Sequence, residues 1–170
     1  HTANATMGVA QALLYQGKLR ESQEMLQDGL VQAEGISARD LSSEMGRTQA
    51  EIYLARGEYG YALEAARKAA SLAAEIGNRL MEAGAWRVAA DCLLRKGETQ
   101  EANETLRKAW EAISEADDEV ETGRIHAQAR AIHLAMGDDS GSLHHYQIAE
   151  EIFSRLGAAR DLALLETQLA

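Results

Sequence analysis

The sequence predicts an all-α solenoid, a stack of antiparallel helix pairs with about nine helices. Three observations carry this. Gly17, Gly57, Gly97 and Gly137 stand 40 residues apart, each closing a run that ends Leu-Tyr-Gln-Gly, Leu-Ala-Arg-Gly, Leu-Arg-Lys-Gly or Leu-Ala-Met-Gly, the mark of a repeated supersecondary unit. Proline is absent from the 170 residues, and abundant Ala, Leu, Glu, Gln and Arg favour helix throughout. Apolar residues make up 46% of the chain but aromatic ones only 5%, which suits close helix packing rather than a bulky core.

The period divides one repeat domain, 1–170, into units at about 1–38, 39–78, 79–118 and 119–157, followed by a half-repeat capping helix at 158–170. In each unit an apolar stripe of helical spacing precedes the glycine, as in Ala50, Tyr53 and Leu54 or Trp86, Ala90, Leu93 and Leu94. The glycine ends the first helix at no Cβ penalty, and one polar residue later a second helix opens at Leu19, Tyr59, Thr99 or Asp139, of which Thr99 and Asp139 are good N-cap types. Small residues recur in the second helix at Ser22, Ala62, Ala102, Ser142 and at Gly29, Ala69, Ala109, Ala149, where helix backbones can approach closely. Larger residues fill the space between pairs: Leu26, Leu106 and Tyr146, then Ile36, Ile76 and Leu156, with Ala66 and Ala116 as thin places. Turns at Gly35, Gly77-Asn78, Asp117-Asp118 and Gly157 restart the cycle. The predicted helices are 3–16, 19–34, 39–56, 59–76, 79–96, 99–115, 119–136, 140–156 and 158–169. The last is amphipathic through Leu162, Leu164, Leu165 and Leu169, as a cap over the final pair should be.

Seventeen basic residues against twenty-seven acidic ones give a formal charge of −10, which repels nucleic acid and anionic lipid. No apolar stretch reaches the roughly 18 residues of a membrane span. The N-terminus lacks a signal-peptide layout, and the lone Cys92, set in an apolar helical run, reads as a buried thiol in a reducing compartment. A cytoplasmic location is expected. The start at His1, already in phase with the repeat, suggests a piece of a longer protein.

The order large, small, large aromatic or Leu, Gly, aromatic or Leu, Ala, large, Ala resembles the tetratricopeptide repeat. Ala50, Tyr53, Gly57, Tyr59, Ala62, Ala66 and Ala69 carry it in the second unit, and Trp86, Ala90, Leu93, Gly97, Ala102, Leu106 and Ala109 in the third. The first unit follows through Ala10, Leu13, Gly17, Leu19, Ser22, Leu26 and Gly29. In the fourth, Arg130 and His133 depart from the pattern. The period is 40 rather than the family's 34, and the closing proline is missing. The stretch Leu72–Gly84 looks like the junction of a long-helix subclass found in bacterial signalling and transcription-regulator proteins. The resemblance implies a right-handed superhelix whose first helices line a concave groove that holds a peptide or a partner protein.

In that phase the groove columns are Leu14, Leu54, Leu94 and Leu134, and the polar sets Asn4, Met7, Gln11; Glu44, Arg47, Glu51; Arg87, Asp91, Arg95; and Arg124, Ala127, Ala131. The leucines read as core shared between neighbouring helices or, if exposed, as a partner stripe. Each arginine has a carboxylate three or four residues away on its own helix, so helix-face ion pairs account for them. The alternative is that Arg47, Arg87 and Arg124 present guanidinium forks to an acidic side chain or C-terminal carboxylate. The candidate contact residues are Asn4, Gln11, Arg47, Glu51, Arg87, Asp91, Leu94 and Arg124.

No metal, cofactor or catalytic constellation is expected. His126 and His133 lie two helical turns apart, about 10 Å, too far for one metal without a ligand between them. His144 and His145 point to different faces, so at most one joins them. The acidic run Glu115, Asp117, Asp118, Glu119, Glu121 reads as a solvated cap on a helix dipole, without the glycine and alternating oxygens of a calcium loop. Trp86 reads as core, and Trp110 as core or outer-surface contact.

These features predict a non-enzymatic protein- or peptide-interaction module in a signalling or transcription-regulatory protein. A rival is a ligand-sensing array that controls an attached output domain by flexing at Ala66, Ala70, Ala73 and Ala116. Another is a spacer whose open end faces associate weakly with copies of itself.

Overall fold

A computed structural model describes residues 3–33 and 38–167, with side chains described for 5–29 and 41–167. Asn4, Ile36 and Leu169, as side chains, and the turn at Gly35 fall outside what is described. Among the described residues there are helices and no strands: α1 Ala3–Tyr15, α2 Leu19–Ala33, α3 Ala38–Ala55, α4 Tyr59–Glu75, α5 Arg79–Arg95, α6 Thr99–Ala116, α7 Glu119–Ala135, α8 Asp139–Leu156 and α9 Ala159–Thr167. Each packs on the next, and the first helices α1, α3, α5 and α7 also touch in series. The result is an α-solenoid.

The repeat glycines sit where the period requires them. Gly17, Gly57, Gly97 and Gly137 have φ of 75°, 76°, 83° and 75°, left-handed backbone that a side chain disfavours. A second left-handed register runs through Gly77, Asp117 and Gly157, again 40 residues apart. There Asp117 (φ 53°) is the non-glycine member, and it ends α6. The second helices open at the expected residues, but their N-caps fall one residue earlier. Glu58 and Glu98 precede α4 and α6 without a side-chain cap bond, while Asp138, not Asp139, accepts the Gly141 N–H. Thr99 and Asp139 are already inside the first turn. Asn78 and Asp118 cap α5 and α7 by accepting from the Met81 and Glu121 amides.

Ser22, Ala62, Ala102 and Ser142, with Gly29, Ala69, Ala109 and Ala149, are all buried. Ser22 Oγ donates to the Ala10 carbonyl at 2.7 Å, tying α2 to α1 with a satisfied buried hydroxyl. The main core runs from Ala50 on α3 to Ile132 on α7, with Leu93, Leu106 and Ile125 among its largest members. Ala66, Ala70 and Ala73 have no exposed surface, so those thin places are filled rather than loose. Leu54 and Leu94 pack against this core, Leu14 against the core of the first pairs, and Leu134 is 49% exposed. Leu156, expected between pairs, is also exposed. Trp86 is half-buried, with Lys108 Nζ 4.3 Å above its ring. Arg130 is buried with its guanidinium 5.5 Å over Tyr146, which explains how the fourth unit tolerates a cation at a small position. Helix α9 buries Leu165 against Ala149 and Phe153 of α8.

Gly123 is fixed by contact rather than by dihedral: a Cβ there would lie 2.6 Å from the buried Phe153 ring and 3.1 Å from Ile152. Gly123→Ala should therefore destabilise the fold by about 1–2 kcal/mol despite the gain in helix propensity. Asp117→Gly should instead stabilise it by about 0.5–1 kcal/mol, by relieving left-handed backbone. Urea unfolding midpoints test both signs, and a stabilised Gly123→Ala variant would contradict the packing account.

Candidate functional site

The inner wall is a ladder of alternating charge carried by α3, α5, α7 and α9. At its N-terminal end Gln11 Nε2 on α1 donates to Glu44 and Thr48 on α3, each at 3.4 Å. Arg47 donates to Glu51 Oε1 at 3.0 Å one turn along α3. Arg87 does not pair with Asp91 on its own helix. It reaches across to Glu121 on α7, while Asp91 takes Arg95 at 3.3 Å. Arg124 forms a two-pronged bond to Asp161 on α9 at 2.7 and 3.2 Å and lies 3.6 Å from Glu121. Gly84 makes room for this, since a Cβ there would sit 3.3 Å from Arg47 and 3.6 Å from Glu121.

Burial decides how these charges behave. Glu121, expected as a solvated cap, is 6% exposed and faces the wall. Burial works against the Arg87 cation, but the charge and hydrogen bond of Glu121, with Glu51 nearby, outweigh it and raise its pKa. The Arg124 guanidinium is half-buried, which works against its charge, yet Asp161 and Glu121 push its pKa up. Removing one member of such a pair strands the other in a poorly solvated place. These arginines are held cations rather than free forks. The remaining acidic residues do behave as surface groups: Glu115 pairs with Arg79 and Glu119 with Arg155, both exposed.

Glu51, Arg87, Asp91, Arg95, Arg124 and Gln128 line a cavity of about 340 Å³, closed on its far side by α9. Arg160 at the start of α9 stacks 3.4 Å over the Tyr15 ring at the end of α1, so these two helices meet across the mouth. Two buried atoms in this lining have no partner, Glu51 Oε2 and Gln128 Nε2. Of the candidate contact residues, Glu51, Arg87, Asp91 and Arg124 converge here. Arg47 and Arg124 border an adjoining cleft of about 260 Å³. Gln11 lies at the other end, and Leu94 packs on the core. Tyr15, Gln128, Arg160 and Asp161 escaped the sequence reading. Gln128 lies one turn beyond Arg124, which is the signal that could have found it. A larger groove of about 660 Å³ lies between α3 and α4, lined by Met45, Tyr53, Tyr61 and Lys68.

A second cluster lies between α6, α7 and α8. His145 sits between His126 and His133, with ring centroids 5.1 and 5.0 Å away, and its Nδ1 is 2.8 Å from His126 Nδ1. His145 thus joins the two histidines that two helical turns keep apart, while His133 Nδ1 binds Asp138 at 2.7 Å. The Trp110 ring closes the cluster from α6, edge-on to His126 at 4.6 Å. Among the described residues no three metal-ligating side chains converge on a site. Cys92 is buried, and burial with Asp91 nearby pushes its thiol up to about 12, which leaves little thiolate near neutral pH. Among the described residues no helix is long and apolar enough to cross a membrane.

Fold and inner wall together define an α-helical repeat protein. No protein-family model matches the chain, and no curated protein matches its sequence. Solved structures match it in shape. The crystal structure of aspartyl phosphate phosphatase F from Bacillus subtilis superposes with a TM-score of 0.80 at 13% identity, over 96% of this chain and 43% of that one. BtubC (BKLC) from P. vanneervenii does so with a TM-score of 0.70 at 17% identity, over 92% and 65%. The chain spans less than two thirds of either protein, and the likeness is one of fold.

The histidine cluster makes stability depend on pH. Burial, then the charges of His145 and His144, lower His126 to about 4. Burial, His133 and His144 lower His145, against the pull of Asp138. An unfolded histidine takes its proton near 6.5. Between about 6.5 and 4 the unfolded chain therefore binds protons that the folded chain refuses, and stability falls as the pH drops. The loss should reach about 1–2 kcal/mol, below what the full shift implies because the ring is only half-buried. Denaturant midpoints at pH 7.5 and 4.5 measure it. His126→Gln should flatten the profile, and equal midpoints for the parent protein would refute the assignment.

Proposed function

We propose that the protein is a non-catalytic interaction module that holds a protein or peptide partner on the inner wall of its solenoid. The observation that supports this is the cavity between Glu51 and Arg160. Its charged lining comes from four inner helices, α3, α5, α7 and α9, with most of its charges already paired, so binding would order little of the scaffold. The buried Cys92 thiol, held in its protonated form, and the His126–His145 pair, engaged with each other, are compatible with a binding role. The phosphatase among the structural neighbours has this shape over 43% of its length, and the shared shape bears on the scaffold alone. Within the reading, cytoplasmic signalling or transcription control is the expected setting.

The meeting of Arg160 with Tyr15 favours a second reading, an effector-sensing array, because occupancy of the cavity would be felt at the contact between α1 and α9.

A photo-crosslinking residue at Arg95, on the wall, should capture a partner that one at Lys68, in the α3–α4 groove, does not. Ala127→Trp, which fills the cavity, should abolish that capture without lowering the thermal midpoint. Equal capture from both positions, or capture that survives the filled cavity in a folded variant, would reject the inner wall as the site.

A further inference from the structure

Buried polar atoms in folded proteins are nearly always hydrogen-bonded, and an exception needs an occupant to explain it. Among the described residues three buried side-chain nitrogen or oxygen atoms have no partner, and two of them, Glu51 Oε2 and Gln128 Nε2, line the inner cavity. Their chemistry is complementary. Glu51 Oε1 is held by Arg47, which leaves Oε2 as a buried anionic acceptor. The amide nitrogen of Gln128 can only donate. The neighbouring carboxylates are engaged: Asp161 with Arg124 through both oxygens, Glu121 with Arg87 and Arg124, and Asp91 with Arg95.

We propose that this cavity captures an α-aminoacyl end, the ammonium against Glu51 and the adjacent carbonyl against Gln128. The inference rests on the inner-wall reading and names its ligand chemistry. A wholly anionic occupant would face Glu51 Oε2 and Asp91. A wholly cationic one would face Arg87 and Arg124, which already hold their charges. An α-aminoacyl end supplies both complements, an ammonium to donate to Glu51 Oε2 and a carbonyl to accept from Gln128 Nε2, and the N-terminus of a peptide carries that pair. A lysine side chain has the ammonium without the carbonyl. A volume of about 340 Å³ accommodates one or two residues, with the rest of the chain leaving past Arg95 and Arg160 at the rim.

Calorimetric titration with tetra-alanine, N-acetyl-tetra-alanine and L-alanine at pH 7 tests this. Acetylation should weaken binding at least about tenfold, the scale of one charge-assisted hydrogen bond. Glu51→Gln should cause the same loss for the free peptide and no further loss for the acetylated one. With the unaltered protein, raising the pH above the α-amino range, about 8, should weaken the free peptide alone, a readout that does not depend on the variant folding. Binding of L-alanine as tight as the tetrapeptide would support the site with a free amino acid as its source. Equal binding of capped and uncapped peptide would overturn the ammonium assignment while leaving the inner-wall reading intact. Binding of no probe would overturn it in favour of water in the cavity, and the crosslinking result would then judge the inner wall by itself.

Discussion

Close approach of helix backbones is the constraint on which the rest of the molecule stands. Ser22, Ala62, Ala102 and Ser142 open the contact within each hairpin, and Gly29, Ala69, Ala109 and Ala149 continue it two turns later. With so few aromatic side chains, the core gains its density from contact between small residues and backbone rather than from large interlocking groups. Gly123 shows how tight the arrangement is, since the Phe153 ring occupies the space that a Cβ there would need. The same closeness brings the inner helices within reach of one another, and this is why arginines on one can bond carboxylates on the next.

How much was legible in the sequence follows from distance along the chain. Helix bounds, turn glycines and the buried small positions repeat every 40 residues, so each is stated four times over and errors at one copy are corrected by the others. The inner wall is not repetitive in this way. Arg87 and Glu121 are 34 residues apart and Arg124 and Asp161 are 37 apart, whereas helix-face reasoning looks three or four residues away and offers Asp91 as the partner for Arg87. Glu121 has a cap-like position in the sequence, and only the placement of α5 beside it turns it inward. His145 is a similar case: two turns of α7 separate His126 from His133, and a ring from α8 fills the gap.

Electrostatics divides the protein into two kinds of surface. Outer pairs such as Arg67 with Glu101 and Arg155 with Glu119 are about half-exposed and contribute little to stability. The inner chain from Arg47 to Asp161 is shielded from solvent, so its charges interact strongly and hold one another in place. A net charge of −10 thus coexists with an inner wall whose cations are matched one for one or better, and the excess of acid is carried elsewhere.

The contact between Tyr15 and Arg160 couples α1 to α9. In a solenoid each unit ordinarily sees only its neighbours, so the gain or loss of a hairpin is tolerated. Here a unit inserted between α1 and α9 would carry Arg160 past Tyr15, and a deleted one would leave it short. A contact that skips the intervening units ties their number to the geometry of the wall, and duplication within this stretch would have to break it first.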